Sequence, residues 1–357
     1  MNKELINALE DLEKEKGIKK EYIFDALEAA LISAYKRNFM SAQNVEVNMD
    51  RETGAVKVCA MKTVVEEVED ANRQTQISLE DAKKINKSYE LGDVVGIEVT
   101  PANFGRIAAM TAKQVVMQRI REAERGMIYS EYTERENELV TGVVQRTEKN
   151  GNVFVDIGKI EAVMPPSEQI SGEKYEFKER YKFYVSEVKN TVKGPMVNVS
   201  RSHPNLVKKM FEMEVPEIKD GIVEIKSVSR EAGSRSKIAV YSKDSDVDPQ
   251  GACIGAKGMR VQNISDELKG EKIDIVKWSD DPAEFIAASL SPSKVLEVEI
   301  NEDDKTAHVK VPESQLSLAI GKSGQNVRLA ARLTGWKIDI KPVASEKSLE
   351  ELLNESF

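Results

Sequence analysis

The chain has 357 residues, of which 32% are charged and 6% are aromatic, with a formal net charge of -9 and a pI near 5.2. This balance excludes a protein that coats duplex nucleic acid through bulk positive charge, so any nucleic acid must be held locally. The sequence has neither an apolar run long enough for a membrane span nor the apolar region of a signal peptide, so we expect a cytoplasmic protein without a membrane partner.

Cysteine and histidine are scarce. Cys59, Cys253, His203 and His308 are the complete set, and their spacing fits neither a zinc site nor a redox pair. Carboxylates are plentiful, but without a histidine or a supported nucleophile nothing specifies an acid–base pair. We therefore expect no catalytic residue, no metal and no other cofactor, and we predict that the protein is not an enzyme.

Amphipathic helices open the chain. Apolar residues recur at helical spacing in two stripes, Leu5, Leu9 and Leu12, then Ile23, Leu27, Leu31 and Ala34. Alternating segments on both sides of the turn at 51–54 predict a β-hairpin, which is followed by a short helix and the strand DVVGIEV. We interpret residues 1–135 as one α/β domain.

A long helix over roughly 106–135 is predicted to end this domain. Its apolar stripe repeats by four, three and four residues, through Val116, Ile120, Ala123 and Met127. Such a stripe favours core or interdomain packing over a groove for a partner.

Residues 136–200 consist mainly of short segments in which apolar and polar residues alternate, a pattern typical of β-strands. Five of them, separated by turns such as KNGN and IGK, predict a small closed barrel of OB type. The phrase GNVFVDIG…EAVMPPSE resembles the ribosomal S1 version of this barrel, which implies an RNA-binding module. Four rings are available for stacking on bases, but alternation in strands turns about half of such rings inward, so none is assigned this role: Phe154, Tyr181, Phe183 and Tyr184.

The C-terminal half contains a repeat. ACIGAKGMRVQNI, residues 252–264, aligns with LAIGKSGQNVRLA, residues 318–330, through a shared Ile-Gly-x-x-Gly, and each is followed by Lys-Ile-Asp-Ile. Each copy reads in the order helix, strand, strand, helix, Gly-x-x-Gly, helix, strand, which predicts an α+β layer. We place the copies at 201–279 and 280–345, with a short tail at 346–357.

The Gly-Lys-Ser of the second loop does not indicate a nucleotide-binding phosphate loop. A Walker A motif needs a glycine five residues before Gly321, where this chain has Leu316. A Gly-x-x-Gly turn between two helices instead lets a sugar-phosphate backbone approach the main chain, with the N-terminus of the second helix favouring a phosphate. Ile254, Val261, Ile264, Ile320 and Val327 are expected to form an aliphatic floor for the bases.

Each copy resembles a type II KH domain, which holds about four nucleotides of single-stranded RNA. The expected RNA-binding residues lie in and around the loops: Gly255, Ala256, Lys257, Gly258, Arg260, Gly321, Lys322, Ser323, Gly324, Gln325, Arg328, Arg235 and Lys237. Replacing Gly255 or Gly321 by Asp is expected to weaken RNA binding and to spare folding.

Taken in this order, the domains resemble the NusA family of bacterial transcription termination and antitermination factors. The match also includes TAKQVVMQRIREAER on the long helix and AIGKSGQNVRLAARLTGW around the second loop. The resemblance implies a monomer that binds RNA polymerase and nascent transcript, with other Nus-type factors as further partners. It also implies polymerase or nascent-RNA contacts for Arg106, Lys113, Arg119 and Arg125.

Two features depart from the family pattern. Some relatives carry acidic C-terminal repeats that mask RNA binding, and such regulation is not expected from the tail SEKSLEELLNESF. The loop cation also moves by one position, from Lys257 in the first copy to Lys322 in the second. The register of RNA is therefore expected to differ between the copies.

Two other functions share these modules. This KH variant also occurs in ribosomal proteins, so a ribosome-associated or translation-related RNA-binding protein is the main alternative. An RNA-turnover enzyme is disfavoured, because polynucleotide phosphorylases place KH before the S1 barrel and need large catalytic domains for which this chain has no room.

Overall fold

The computed structural model describes residues 6–343 except 8, 12, 15, 16, 18, 40–43, 70 and 71. Leu5, Leu12 and the tail at 346–357 therefore lie outside the described residues. The chain forms two compact units, Met1–Met127 and Ile128–Phe357. Across the described ranges, no helix combines the length and the apolar character that crossing a membrane demands.

The first unit contains helices and a four-stranded sheet, which includes the predicted hairpin and the predicted strand DVVGIEV. The central strand, Val56–Val65, pairs antiparallel with Val45–Met49 and Val94–Glu98. It pairs parallel with Gln76–Ser78, a short strand that the sequence pattern had not indicated. The predicted stripe Ile23, Leu27, Leu31 and Ala34 is buried. The elements are α1 Lys20–Phe39, β1 Val45–Met49, β2 Val56–Val65, β3 Gln76–Ser78, α2 Leu79–Ile85, β4 Val94–Glu98 and α3 Phe104–Thr133.

The long helix α3 packs through a different set of residues from those predicted. Its buried positions in the first unit are Phe104, Ala108 and Ala112, and Val116 packs against the same region. Met127 is 47% exposed, so the predicted packing role is wrong for that residue. The buried positions lie nearer the N-terminus of the helix than the predicted stripe. Apolar spacing alone does not show which part of a long helix packs against the sheet.

The second unit contains the predicted five-stranded barrel, which closes with its strands in the order first, second, third, fifth and fourth. The last turn of α3 contributes to its core, where the hydroxyl of Tyr132 donates a buried hydrogen bond of 2.9 Å to the carbonyl of Ile157. The barrel strands are β5 Leu139–Thr147, β6 Val153–Asp156, β7 Glu161–Met164, β8 Arg180–Thr191 and β9 Gly194–Ser200.

The two repeats have the same topology, as predicted. In each three-stranded sheet the first two strands are antiparallel and the third is parallel to the second. The first repeat consists of α4 Pro204–Glu214, α5 Pro216–Lys219, β10 Val223–Glu231, β11 Arg235–Ser242, α6 Pro249–Ile254, α7 Met259–Glu267 and β12 Lys272–Lys277. The second consists of α8 Pro282–Ser289, β13 Glu297–Asn301, β14 Thr306–Pro312, α9 Leu316–Ile320, α10 Gln325–Thr334 and β15 Lys337–Val343.

The second repeat covers the back of the first repeat's sheet. Ala239 and Val276 on that sheet form one buried cluster with Phe285 and Leu333 of the second repeat. Because helices cover both faces of the first sheet, all residues from 236 to 240 in β11 are buried. The two repeats therefore share a core and present their loops from one body.

A buried ion pair fixes the barrel to the first repeat. Arg230 and Glu271 have fully buried side chains and are joined by two hydrogen bonds of 2.9 Å. Arg230 also donates to the carbonyls of Arg201 and His203, at 2.8 Å each, in the segment that leaves the barrel. Ser236 and the main-chain N–H of Gly233 satisfy the remaining acceptor capacity of Glu271.

Replacing Glu271 by Ala is expected to lower the free energy of unfolding by about 3–5 kcal/mol, because Arg230 would keep a buried charge without its carboxylate. Urea unfolding of the full chain measures this change. The control is Glu224→Ala, which breaks two surface pairs, with Lys226 and with Lys243, and should lower the free energy of unfolding much less. Equal losses in both variants would contradict this account of the junction.

Candidate nucleic-acid interface

The two glycine loops, 255–258 and 321–324, have the same backbone conformation. The first glycine has φ 73° and ψ 174° in one loop and φ 74° and ψ 170° in the other. This region of φ and ψ is essentially restricted to glycine. The third residue, Lys257 or Ser323, is left-handed with φ 53° in both loops, and the last glycine has φ 77° or 74°.

The first glycine of each loop has no room for a side chain. A Cβ added to Gly255 would lie 2.6 Å from Cγ of Arg260, and one added to Gly321 would lie 2.8 Å from the main-chain nitrogen of Asn326. The expectation that Gly255→Asp and Gly321→Asp spare folding is therefore wrong. Around Gly258, by contrast, no atom lies within 4 Å of an added Cβ.

The helices that follow the loops begin on these last glycines. Neither α7 nor α10 has a side-chain hydrogen bond capping its N-terminus. The first N–H groups of a helix have no acceptor within that helix and carry partial positive charge. The first N–H of each helix, on Met259 and Gln325, donates back to the carbonyl of Ala256 or Lys322. The next main-chain donors of each helix lack a side-chain cap and lie beside glycines that carry no Cβ, an arrangement suited to a phosphate.

The middle residues of both loops are exposed: Ala256 and Lys257 in the first, Lys322 and Ser323 in the second. Neither lysine has an ion-pair partner among the residues that the structure describes. Their ammonium groups are consequently available to an anion. Lys257 is the third residue of the first loop, and Lys322 is the second residue of the second loop.

Part of the expected aliphatic floor lies beside the loops. Ile254 is 40% exposed and Ile320, its counterpart, is 37% exposed, whereas Val261 and Val327 are half-buried. Ile264 is only 3% exposed and belongs to the core of the first repeat, so its assignment to the floor is wrong. Helical spacing alone could not separate a residue beside the groove from one beneath it.

Arg260 is half-buried, and its guanidinium is held by two neighbours. Its Nη1 donates to the carbonyl of Ala252 at 2.6 Å and to the carboxylate of Glu217 at 2.9 Å. The predicted contact with RNA phosphate is not supported by this placement, since the charge of Arg260 is already paired and its side chain is 29% exposed.

Lys237 and Arg235 do not belong to the loop surface. The side chain of Lys237 is fully buried and donates to Asp274 at 3.0 Å and to the carbonyl of Ser291 at 2.9 Å. Arg235 makes two hydrogen bonds to the same carboxylate, at 2.7 and 2.8 Å. The assignment of Lys237 as an RNA-binding residue is wrong, because its side chain is buried against the second repeat. That of Arg235 is not supported by its placement, since its charge is paired with Asp274 and its side chain is 25% exposed.

Charge pairing at this junction shifts two pKa values. Burial lowers the pKa of Lys237, since it disfavours the ammonium form. Burial acts in the opposite sense on Asp274, but the hydrogen bonds from Arg235 and the charge of Lys237 hold the pKa of its carboxyl below the ordinary value. The three side chains therefore act as one ionic cluster inside the protein.

Gln325 and Arg328 contact the first repeat. Arg328 Nε donates to Glu231 at 2.6 Å and Gln325 Nε2 donates to the same carboxylate at 2.8 Å. The hydrogen bond from Arg328 lowers the pKa of Glu231. Arg328 nevertheless stays 43% exposed, so one edge of its guanidinium faces solvent next to the second loop.

The barrel offers one accessible ring among the four considered. Tyr181, Phe183 and Tyr184 are at most 3% exposed. Phe154 is half-buried, and the guanidinium of Arg146 lies over its ring at 4.0 Å while donating to Glu161 at 2.6 Å. The ring of Phe154 is thus already covered by an arginine of the same barrel.

The cations expected on α3 lie on exposed or half-exposed positions of the first unit. Arg106, Lys113 and Arg125 are exposed, and Arg119 pairs with Glu122 at 2.8 Å. The sequence reasoning missed that Met110 and Met117, 64% and 43% exposed, lie on the same stripe as Arg106 and Lys113. Residues 106, 110, 113 and 117 are spaced by four, three and four positions, which places them on one face of a helix and could have indicated this stripe.

Comparisons with known proteins cover the whole of this architecture. Four family models match: the NusA N-terminal domain over residues 4–126, the S1 RNA binding domain over 133–200, the NusA-like first KH domain over 201–278 and the NusA-like second KH domain over 282–348.

Curated relatives match along almost their full length. The transcription termination/antitermination protein NusA of Halalkalibacterium halodurans is 60% identical over 99% of this chain and 91% of its own length. The protein of the same name from Bacillus subtilis is 61% identical over 99% of this chain and 93% of its own length. The solution structure of the N-terminal domain of NusA from B. subtilis is 63% identical, with a TM-score of 0.32, over 35% of this chain and 99% of that structure.

Asp274→Asn is expected to destabilise the second unit by up to about 3 kcal/mol, because Lys237 would stay buried without its carboxylate. The folded-state pKa of Asp274 lies below the ordinary 3.8, so its contribution is complete above pH 3.8 and is lost as the pH falls through the lowered value. Thermal unfolding of both proteins from neutral to acidic pH should therefore show a difference that narrows in acid.

The matched control for this prediction is Asp339→Asn. Asp339 occupies the same place in the second Lys-Ile-Asp-Ile segment but is half-exposed and contacts His308. Its replacement should change stability little. A pH-independent loss in Asp274→Asn would contradict the ionic cluster.

Proposed function

Because this chain belongs to the NusA family of transcription termination/antitermination proteins, we propose that its two glycine loops hold nascent transcript while its N-terminal domain docks on RNA polymerase. The protein is an RNA-binding transcription termination/antitermination factor with S1 and KH domains. Its action on pausing and termination is proposed to be non-catalytic, through binding alone.

The observation that carries the RNA proposal is the repeated loop geometry. In both repeats a turn that begins and ends with glycine, a helix N-terminus without a side-chain cap and an exposed lysine come together. Such a site neutralises few phosphates, which fits a chain with a net charge of -9. Log Kobs should therefore fall with log salt with a shallow slope of about 0.7 per phosphate contact.

The two sites are proposed to act on one strand. They lie in one compact unit, and each KH domain accommodates about four nucleotides. Once one segment of transcript is held, the next is presented to the second loop at a high effective concentration. This arrangement favours extended single-stranded RNA over a folded hairpin at the loops.

The polymerase proposal concerns residues 1–135. Exposed cations and methionines alternate along one stripe of α3, through Arg106, Met110, Lys113 and Met117. Methionine side chains adapt to irregular apolar surfaces, and the cations suit an acidic rim. We propose that this stripe contacts RNA polymerase, that Arg119 and Arg125 extend it, and that a monomer recruits other Nus-type factors.

Replacing both Gly258 and Gly324 by Asp is expected to weaken binding of single-stranded RNA at least about tenfold, or roughly 1.4 kcal/mol, since a carboxylate would lie where phosphate is held. The second glycines are chosen because an added Cβ meets no atom within 4 Å at Gly258 and only Arg328 Nη1, at 3.9 Å, at Gly324. Fluorescence anisotropy with labelled RNA gives the affinity.

The control for this experiment carries Asn at both positions. Asn has the same shape and equal tolerance of left-handed backbone but no charge. It should lose less affinity than the Asp variant. If the folded Asp variant binds as tightly as the wild type, the loops are not the RNA site.

Lys113→Glu is expected to weaken association of the full chain with bacterial RNA polymerase core enzyme and to leave the affinity for single-stranded RNA unchanged. Co-elution in gel filtration and anisotropy measure the two properties. Lys83→Glu, an exposed lysine on α2, is the control of equal charge change. Loss of RNA affinity in place of polymerase association would reassign this stripe to the transcript.

A further inference from the structure

Arg260 and Asn326 occupy equivalent positions in the two repeats. Each is the second residue of the helix that follows a glycine loop, in α7 and α10 respectively. Their side chains differ in length, shape and charge. They nevertheless make hydrogen bonds to equivalent parts of the fold.

Both side chains donate to the helix that precedes the loop. Arg260 Nη1 lies 2.6 Å from the carbonyl oxygen of Ala252 in α6. Asn326 Nδ2 lies 3.0 Å from the carbonyl oxygen of Ala319 and 3.4 Å from that of Leu318, both in α9. These carbonyls belong to the last turn of a helix, where no N–H group of the same helix is left to bond them.

Both side chains also reach the helical segment that precedes the first strand of the repeat. Arg260 donates to Glu217 of α5 at 2.9 Å. Asn326 donates to the carbonyl of Leu290 at the end of α8, at 3.0 Å. Each side chain therefore ties together three helical segments: the one before the first strand, the one before the loop and the one after it.

The orientation of the Asn326 amide follows from these contacts. Three carbonyl oxygens surround one end of the side chain, so that end must be the NH2 group. Its Oδ1 has no hydrogen-bond partner among the described residues, and the residue is 4% exposed. The NH2 group has two N–H donors, which the three carbonyl oxygens share. A buried acceptor without a partner is costly, so the donated hydrogen bonds must offset that cost in the folded protein.

The same residues pack against the first glycine of each loop. The added-Cβ positions of Gly255 and Gly321 fall 2.6 Å from Cγ of Arg260 and 2.8 Å from Cβ of Asn326. The separation of the two helices, the path of the loop and the position of these side chains are thus set together.

We propose that Arg260 and Asn326 are positioning residues that hold the glycine loops in the conformation that binds RNA, without contacting RNA themselves. The inference rests on the proposed function of the loops. A loop already held in its bound shape loses less conformational entropy on binding, so loosening it lowers affinity without removing any contact with phosphate.

The salt dependence of binding separates a positioning residue from a phosphate contact. The probe is a labelled single-stranded RNA of random sequence, long enough to span both loops, and the protein is the full chain. Lys257→Ala, the reference for a lost phosphate contact, should reduce the salt slope by about 0.7. Arg260→Ala should lower affinity about tenfold with the slope unchanged. Arg260→Lys keeps a donor and a charge in reach of Ala252 and Glu217, and should restore most of that affinity.

The matched substitution in the second repeat is Asn326→Asp, which keeps the shape and removes the donors. It should also lower affinity with an unchanged slope, and should accelerate amide hydrogen exchange at residues 321–326 in the free protein. Because Asn326 is buried, near-ultraviolet circular dichroism checks its fold, and the two Arg260 variants give the same test at a partly exposed side chain.

A reduced salt slope in Arg260→Ala, equal to that of Lys257→Ala, would overturn the inference and would leave the loops as the RNA site. Unchanged affinity in both Arg260→Ala and Asn326→Asp, while Lys257→Ala binds weakly, would overturn it as well. Unchanged affinity in every variant, including Lys257→Ala, would instead contradict the proposed function.

Discussion

The turn between two helices in each KH repeat depends on one steric fact: the first glycine of the loop carries no side chain. Gly255 and Gly321 have a backbone conformation that is essentially reserved for glycine, and a Cβ there would lie within 3 Å of the following helix. The close approach of the two helices follows from this contact. The last glycine of each loop, Gly258 or Gly324, leaves the following helix without a side-chain cap. The RNA-binding proposal depends on both glycines.

Most cations near the loops are already paired with carboxylates. Arg260 pairs with Glu217, Lys237 with Asp274 and Arg328 with Glu231. The last of these pairs joins the two repeats, which also share a buried cluster. Lys257 and Lys322 stay without an ion-pair partner in the part of the chain that the structure describes. The proposed binding of RNA by this acidic protein therefore depends on these two lysines and on the shape of the loops more than on total charge.

Sequence patterns predicted the barrel, the repeat and the loops, because alternation and internal similarity report directly on strands and on equivalent turns. They could not predict which cations are accessible. The alternation of apolar and polar residues shows on which face of its strand Lys237 lies, but only the packing of the second repeat shows that this face is covered. The equivalent residue of the second repeat, His308, pairs with Asp339 on a half-exposed surface. Arg260 was assigned to RNA for its charge, although its alignment with Asn326 pointed to a role that does not need charge.

The most direct test is a structure of the full chain bound to single-stranded RNA. The account predicts phosphate oxygens within hydrogen-bond distance, about 3 Å, of main-chain N–H groups at the start of α7 and α10, with bases beside Ile254 and Ile320. RNA that runs along the barrel or along α3, with both glycine loops away from any ribose or phosphate, would contradict it.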